Sequence, residues 1–168
     1  MIEVLNLLAF SFSFLFGFEA PIVVEKSTFK IDQKEKTITI LYENFNTLKE
    51  YKKQAINYID SINNSVKLST KIEGLTLISK TKIENSSNKN LIVKLKYSDI
   101  SAISKNFKLN LSDSTIFVHP CETVKVNKGK ILSNKNDNYT PQKISPTEVM
   151  DIYFKLTPCE VLKDITPL

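Results

Sequence analysis

One histidine and two cysteines hold most of the reactive side-chain chemistry in this 168-residue chain. His119 stands two positions before Cys121. Cys159 lies far downstream in a matching setting, Pro158-Cys159-Glu160 against Pro120-Cys121-Glu122. A thiol nucleophile needs its base within hydrogen-bond reach. In extended chain, residues two apart share a face with Cα atoms about 6–7 Å apart, so only a kink at Pro120 would close that gap. A His/Cys/Cys metal site would need a fourth ligand, and the neighbours on offer are Glu122 and Glu160. A redox-active pair normally has Cys-x-x-Cys spacing, which these residues lack. The pairing we expect is a Cys121–Cys159 disulfide, conditional on an oxidising compartment. It would close a loop of about 39 residues and tie the terminal strand to the strand after His119. His119, Glu122 and Glu160 remain a secondary polar site. No residue is assigned a catalytic role, and no metal or cofactor is expected.

Other constellations are poorly supplied. The chain has 3 Gly and no Gly-x-Ser-x-Gly elbow, and a serine triad would have to use the lone histidine. Without a Gly-rich loop, the backbone cradle used for phosphates is missing. All 23 basic residues are Lys, so the bidentate fork that arginine offers to phosphates and base edges is absent. Kinase, NTPase and dinucleotide-binding functions are therefore disfavoured. The 18 acids could meet in space as a carboxylate pair, but none has a privileged position.

The net charge is +5 and the isoelectric point near 9.1. The lysines are scattered among the acids and form no basic block of five or more. We read them as a solvated surface with, at most, weak association with anionic surfaces, and expect no specific nucleic-acid binding.

Residues 4–18 (VLNLLAFSFSFLFGF) carry no charge. Their length fits the apolar part of a secretory signal, and Gly17 and Ala20 are candidate small residues at a cut. Met1-Ile2-Glu3 lacks a lysine, and Pro21 would hinder cleavage after Ala20. The preferred reading is a leader over residues 1–20 followed by a single domain over 21–168. Localisation is then secreted, periplasmic or cell-envelope. Two alternatives stand beside it. Residues 4–18 could belong to the core of a cytoplasmic protein. They could also be a retained anchor, the one route to a membrane, although the run falls short of the about 20 residues a spanning helix needs.

The elements that must position these residues follow from hydrophobic period. Ile22–Asp32 and Thr37–Tyr42 are β-prone runs around the polar turn Gln33-Lys34-Glu35-Lys36 and predict a hairpin. Thr47-Leu48-Lys49-Glu50 matches a capping box. Leu48, Tyr51, Ala55, Ile59 and Ile62 then recur at spacings of 3 and 4, predicting an amphipathic helix over about 47–63. The period changes to two from Val66 to Ile72, and again through a hairpin around 76–98. Asp99 can cap a short turn over 100–103. Strands are predicted at Phe107–Leu111, Thr115–Val118, Thr123–Val126 and Met150–Leu156, with Ile131-Leu132 pairing back to 123–126. Residues 133–146 read as an exposed loop.

The order β-β-α followed by short strands predicts an α+β fold. Its sheet is predominantly antiparallel, with one main amphipathic helix (about 47–63) packed on a face. The function this implies is an exported small binding or interaction protein without catalysis. Its ligand, an unknown protein or small molecule, would sit between helix and sheet or along a strand edge. The alternative is a secreted hydrolase or metal-dependent enzyme centred on His119 with Cys121 and Cys159.

Overall fold

The computed structural model describes residues 22–62, 73–84, 89–107, 109–111, 114–116, 118, 121–127, 131–132, 142–144 and 148–168. The apolar run 4–18, the alternating stretch 66–72 and His119 lie outside the described residues.

Strands β1 (Ile22–Asp32) and β2 (Thr37–Leu48) form a long antiparallel hairpin. β3 (Leu75–Glu84) and β4 (Lys89–Tyr97) form a second. The first helix is a 3-10 turn at Lys49–Tyr51 running into α1 (Lys52–Ser61). α2 spans Ile100–Asn106. Five shorter strands follow: β5 (Leu109–Asn110), β6 (Thr115–Ile116), β7 (Glu122–Val126), β8 (Ile131–Leu132) and β9 (Gln142–Ile144). β10 (Val149–Leu156), a 3-10 turn at Glu160–Leu162 and β11 (Ile165–Pro167) close the chain.

The main sheet runs β3-β4-β2-β1-β10-β7, with β11 pairing the far end of β2. Every described pairing in it is antiparallel. β5-β6-β9-β8 make a small second sheet. The fold is α+β, as the element order predicted.

One face of the main sheet holds the core. Phe29, Ile31, Ile38, Ile40, Tyr42, Val93, Leu95, Ile152 and Phe154 project from it, and Ala55 and Ile59 of α1 with Ala102 and Ile103 of α2 join them. Burial of a fully enclosed Ile or Phe contributes about 1.5–3 kcal/mol, so this face dominates stability.

The long hairpin changes face part-way. Main-core positions are Ile22 and Val24, then Phe29 and Ile31, on β1, and Ile38, Ile40 and Tyr42, then Phe45, on β2. Both strands step by an odd number of residues between Glu25 and Asn44. Asn44 has φ 58°, its Nδ2 donates to Glu25 Oε2 at 3.0 Å, and its carbonyl accepts from Asn46 Nδ2. Asparagine tolerates this left-handed backbone better than most residues. Beyond the step, Val23 and Leu48 turn to the opposite face and enter a second cluster with Cys121 and Leu162.

Several sequence expectations are corrected. Thr47 is no helix cap: it lies in β2, opposite Ile22 and Thr166, and is 1% exposed. Ladder pairing on both sides overrides the capping-box signal and prolongs β2 six residues past Tyr42. The helix is correspondingly shorter than 47–63, and its stripe divides: Leu48 and Tyr51 join the second cluster, Ala55 and Ile59 the main core. The strand foreseen at 107–111 shrinks to β5, with Phe107 closing α2 instead. The strand at 115–118 is likewise reduced to β6. β8 pairs with β9, not β7, and β9 lies inside the expected loop 133–146. Two- and three-residue strands carry too little pattern to read from period alone.

Gly74 precedes β3 with φ 80°, and its carbonyl accepts from Ser98 N at 2.9 Å. A Cβ there would meet Ala102 Cβ at 2.9 Å and Ser98 Oγ at 3.1 Å. Backbone strain and the clash act together, so Gly74→Ala should destabilise by about 1–3 kcal/mol. Urea titration checks this, and an unchanged midpoint would contradict it.

Two carboxylates are held below their ordinary range. A hydrogen bond from Lys89 holds Asp60 down, helped by charge from Lys89 and Lys82. Asp99 is lowered by hydrogen bonding to Ser101, whose N–H donates to Asp99 Oδ1 at 2.8 Å in the expected N-cap of α2. A lowered folded pKa stabilises above the unfolded pKa, and that part is lost as pH falls through the folded value. Stability should therefore drop below about pH 4. The double variant Asp60→Asn/Asp99→Asn should lose that part of the slope, read as Tm against pH. An identical slope in the variant would remove both groups as its cause.

Candidate functional site

β7 and β10 run antiparallel from Ile152↔Val126 to Leu156↔Glu122. Just past that end, Thr157 N donates to Cys121 O at 2.8 Å. The ladder thus carries Cys121 beside the chain that leads to Cys159. The two are bonded, with S–S 2.05 Å and Cα atoms 5.6 Å apart. Cys121 is buried, and Val23, Leu48 and Leu162 pack with it, flanked by Tyr51, Leu156 and Ile165. The disulfide is therefore the centre of the second apolar cluster, which caps one end of the sheet's outer face.

With both sulfurs in this bond, neither cysteine can act as a thiol nucleophile or thiolate ligand. The other expected polar residues are dispersed. Glu122 begins β7 and is half-buried opposite Leu156. Glu160 is exposed and pairs with Lys163 in the 3-10 turn. Among the described residues, no group of three or more His, Cys, Asp or Glu side chains could hold a metal ion.

The helix–sheet junction is filled by packing, since Ala55 is fully buried and Ile59 nearly so. At its margin, Lys82 reaches from β3 to Asp60 of α1 and to Glu84, and Lys89 reaches Asp60 at 2.8 Å. This ion cluster fastens α1 to the β3–β4 hairpin. Desolvation lowers the pKa of Lys80 on the same side of β3.

Among the described residues, no element packs on the opposite face of the main sheet beyond the disulfide cluster, and we call it the open face. The strand registers place its side chains in four transverse rows. The first is Val149–Asp32–Thr37–Lys96–Thr76 and the second Asp151–Lys30–Thr39–Lys94–Ser79. The third is Lys125–Tyr153–Thr28–Leu41–Ile92–Thr81. The fourth is Thr123–Lys155–Lys26–Glu43–Asn90–Ile83. None of these residues is buried, and Tyr153 and Ile83 are 42% and 43% exposed. At the inter-strand and along-strand spacings of a sheet, the rows cover roughly 24 by 20 Å.

Sequence reasoning missed this surface. Its signal was present as the polar partners of each alternating strand, such as Lys94 and Lys96 between Val93, Leu95 and Tyr97. Only the register brings those partners from different strands together.

No protein-family model, curated protein or solved structure gives a match to this chain. No helix among the described residues is long and apolar enough to cross a membrane.

Proposed function

We propose that the chain is an exported binding protein that presents the open face of its sheet to a partner and performs no chemistry of its own. The observation that carries this reading is the asymmetry of the sheet. One face is filled by core and helices, while on the other no element among the described residues packs except where the disulfide cluster caps its end. The Cys121–Cys159 bond supports a secreted, periplasmic or cell-envelope location, because such bonds persist in oxidising compartments. The uncharged run 4–18 supports a leader that is removed on export.

Intact mass of the protein from its host, alkylated with and without prior reduction, tests the reading. The expected species lacks about 17–20 N-terminal residues and takes up alkylating agent only after reduction. A full-length species with both thiols directly alkylated would overturn it.

A further inference from the structure

We infer that the open face is a docking surface for an anionic lipid membrane. The inference rests on the binding role proposed above and names the partner.

Charge is segregated onto this face. Lys26, Lys30, Lys94, Lys96, Lys125 and Lys155 stand on it against Asp32, Glu43 and Asp151, an excess of three positive charges. The other described residues hold eleven lysines and eleven acids. The positive excess of the described residues thus lies wholly on one side of the sheet. None of the six lysines forms a salt bridge with another described residue, whereas Lys82, Lys89 and Lys163 all do. Two of the three acids are already engaged: Asp32 Oδ1 accepts from Glu35 N at 2.9 Å, and Asp151 Oδ2 from Asn127 Nδ2 at 2.9 Å.

The arrangement suits a plane better than a strand-like ligand. Five of the six lysines stand on either side of the third row, in which Tyr153, Leu41 and Ile92 are exposed or half-buried, and Lys125 stands at that row's edge. A linear polyanion needs a continuous cationic track, and this row interrupts one. At a bilayer surface the same pattern is complementary. Flexible lysine stems reach lipid phosphates as point charges, while a tyrosine ring and aliphatic tips sit at headgroup depth. Lysine without arginine is adequate there, since a diffuse field of phosphates asks for no bidentate geometry. A second copy of the chain is a poor occupant, because two such faces would oppose like charges.

The test is co-sedimentation of the host-purified protein, disulfide intact, with phosphatidylcholine vesicles that either lack or contain about one-third phosphatidylglycerol. The readout is the difference between the two, so any uniform contribution from residues 4–18 cancels. Binding should favour the anionic vesicles and weaken with salt. Lys30→Glu/Lys94→Glu should weaken the anionic partition about tenfold or more. Lys52→Glu/Lys53→Glu, exposed on α1 away from this face, should leave it nearly unchanged. No preference for anionic vesicles, or equal losses in both variants, overturns the inference. Retention on a sulfated polysaccharide without vesicle binding also overturns it and assigns the face to a soluble polyanion. If the host protein proves processed and disulfide-bonded yet fails on vesicles, this inference falls while the export reading stands.

Discussion

Phe29→Ala should lower the free energy of unfolding by about 3–5 kcal/mol. Phe29 is 3% exposed on β1 and meets two other buried rings edge-on. Phe107, at the end of α2, lies 5.8 Å away at 74°, and Phe154 of β10 lies 5.6 Å away at 79°. Aromatic pairs in this geometry contribute about 0.5–1.5 kcal/mol beyond the area they bury. Truncation removes both pairs and leaves a void where β1, β10 and α2 converge. A domain of this kind is stable by about 5–15 kcal/mol in total, so the variant should be marginal. Phe29→Leu keeps most of the volume and should cost noticeably less than the alanine change. Urea denaturation of both variants checks the order. A loss below about 1 kcal/mol for alanine would mean that the site collapses freely, against the packing described.

The second large effect concerns the disulfide. Its cysteines are separated by 38 positions. Chain-entropy reasoning for a loop of that size gives about 4 kcal/mol of stabilisation, acting mainly on the unfolded state. Cys121→Ala/Cys159→Ala should therefore approach the Phe29→Ala variant in severity. The two changes should differ in place. Phe29→Ala loosens the main core, whereas loss of the bond should first free the Leu156 end of β10, the 3-10 turn at Glu160–Leu162 and β11. Denaturation with and without reductant gives the magnitude, and hydrogen exchange of the Thr157 and Leu162 amides gives the location. An unchanged midpoint after reduction would show that the segments flanking the loop are already held by the second cluster alone.

Much of this fold was legible in the sequence because strong period and length coincide in a few elements. The β1–β2 and β3–β4 hairpins, β10 and the Asp99 cap follow from alternation and turn chemistry that tertiary contacts did not override. The Cys121–Cys159 bond was legible from cysteine number and from the apolar run at 4–18. Thr47 was misread because a capping box is a local signal, and the β1 and β11 ladders on either side of β2 outweigh it. β8 and β9 were beyond reading, since two or three residues hold less than two turns of any alternation. The open face could not be found for a different reason. Each strand shows which residues point away from the core, but neighbours across strands depend on register, and the face is made only of such neighbours.

The change of side at Glu25 and Asn44 has a consequence for how the first hairpin finds its partner. A strand pattern of period two looks the same after a shift of two residues, so an ordinary alternating hairpin can mispair by an even step at little hydrophobic loss. Here the alternation has a phase break at one site on each strand. A two-residue shift would separate the two breaks, and between them one strand would offer polar side chains to the core while the other offered apolar ones. Only one alignment brings both breaks opposite each other. The irregular pair thus acts as a key for the longest ladder in the sheet, and it sets where the disulfide cluster and the open lysine face divide that side between them.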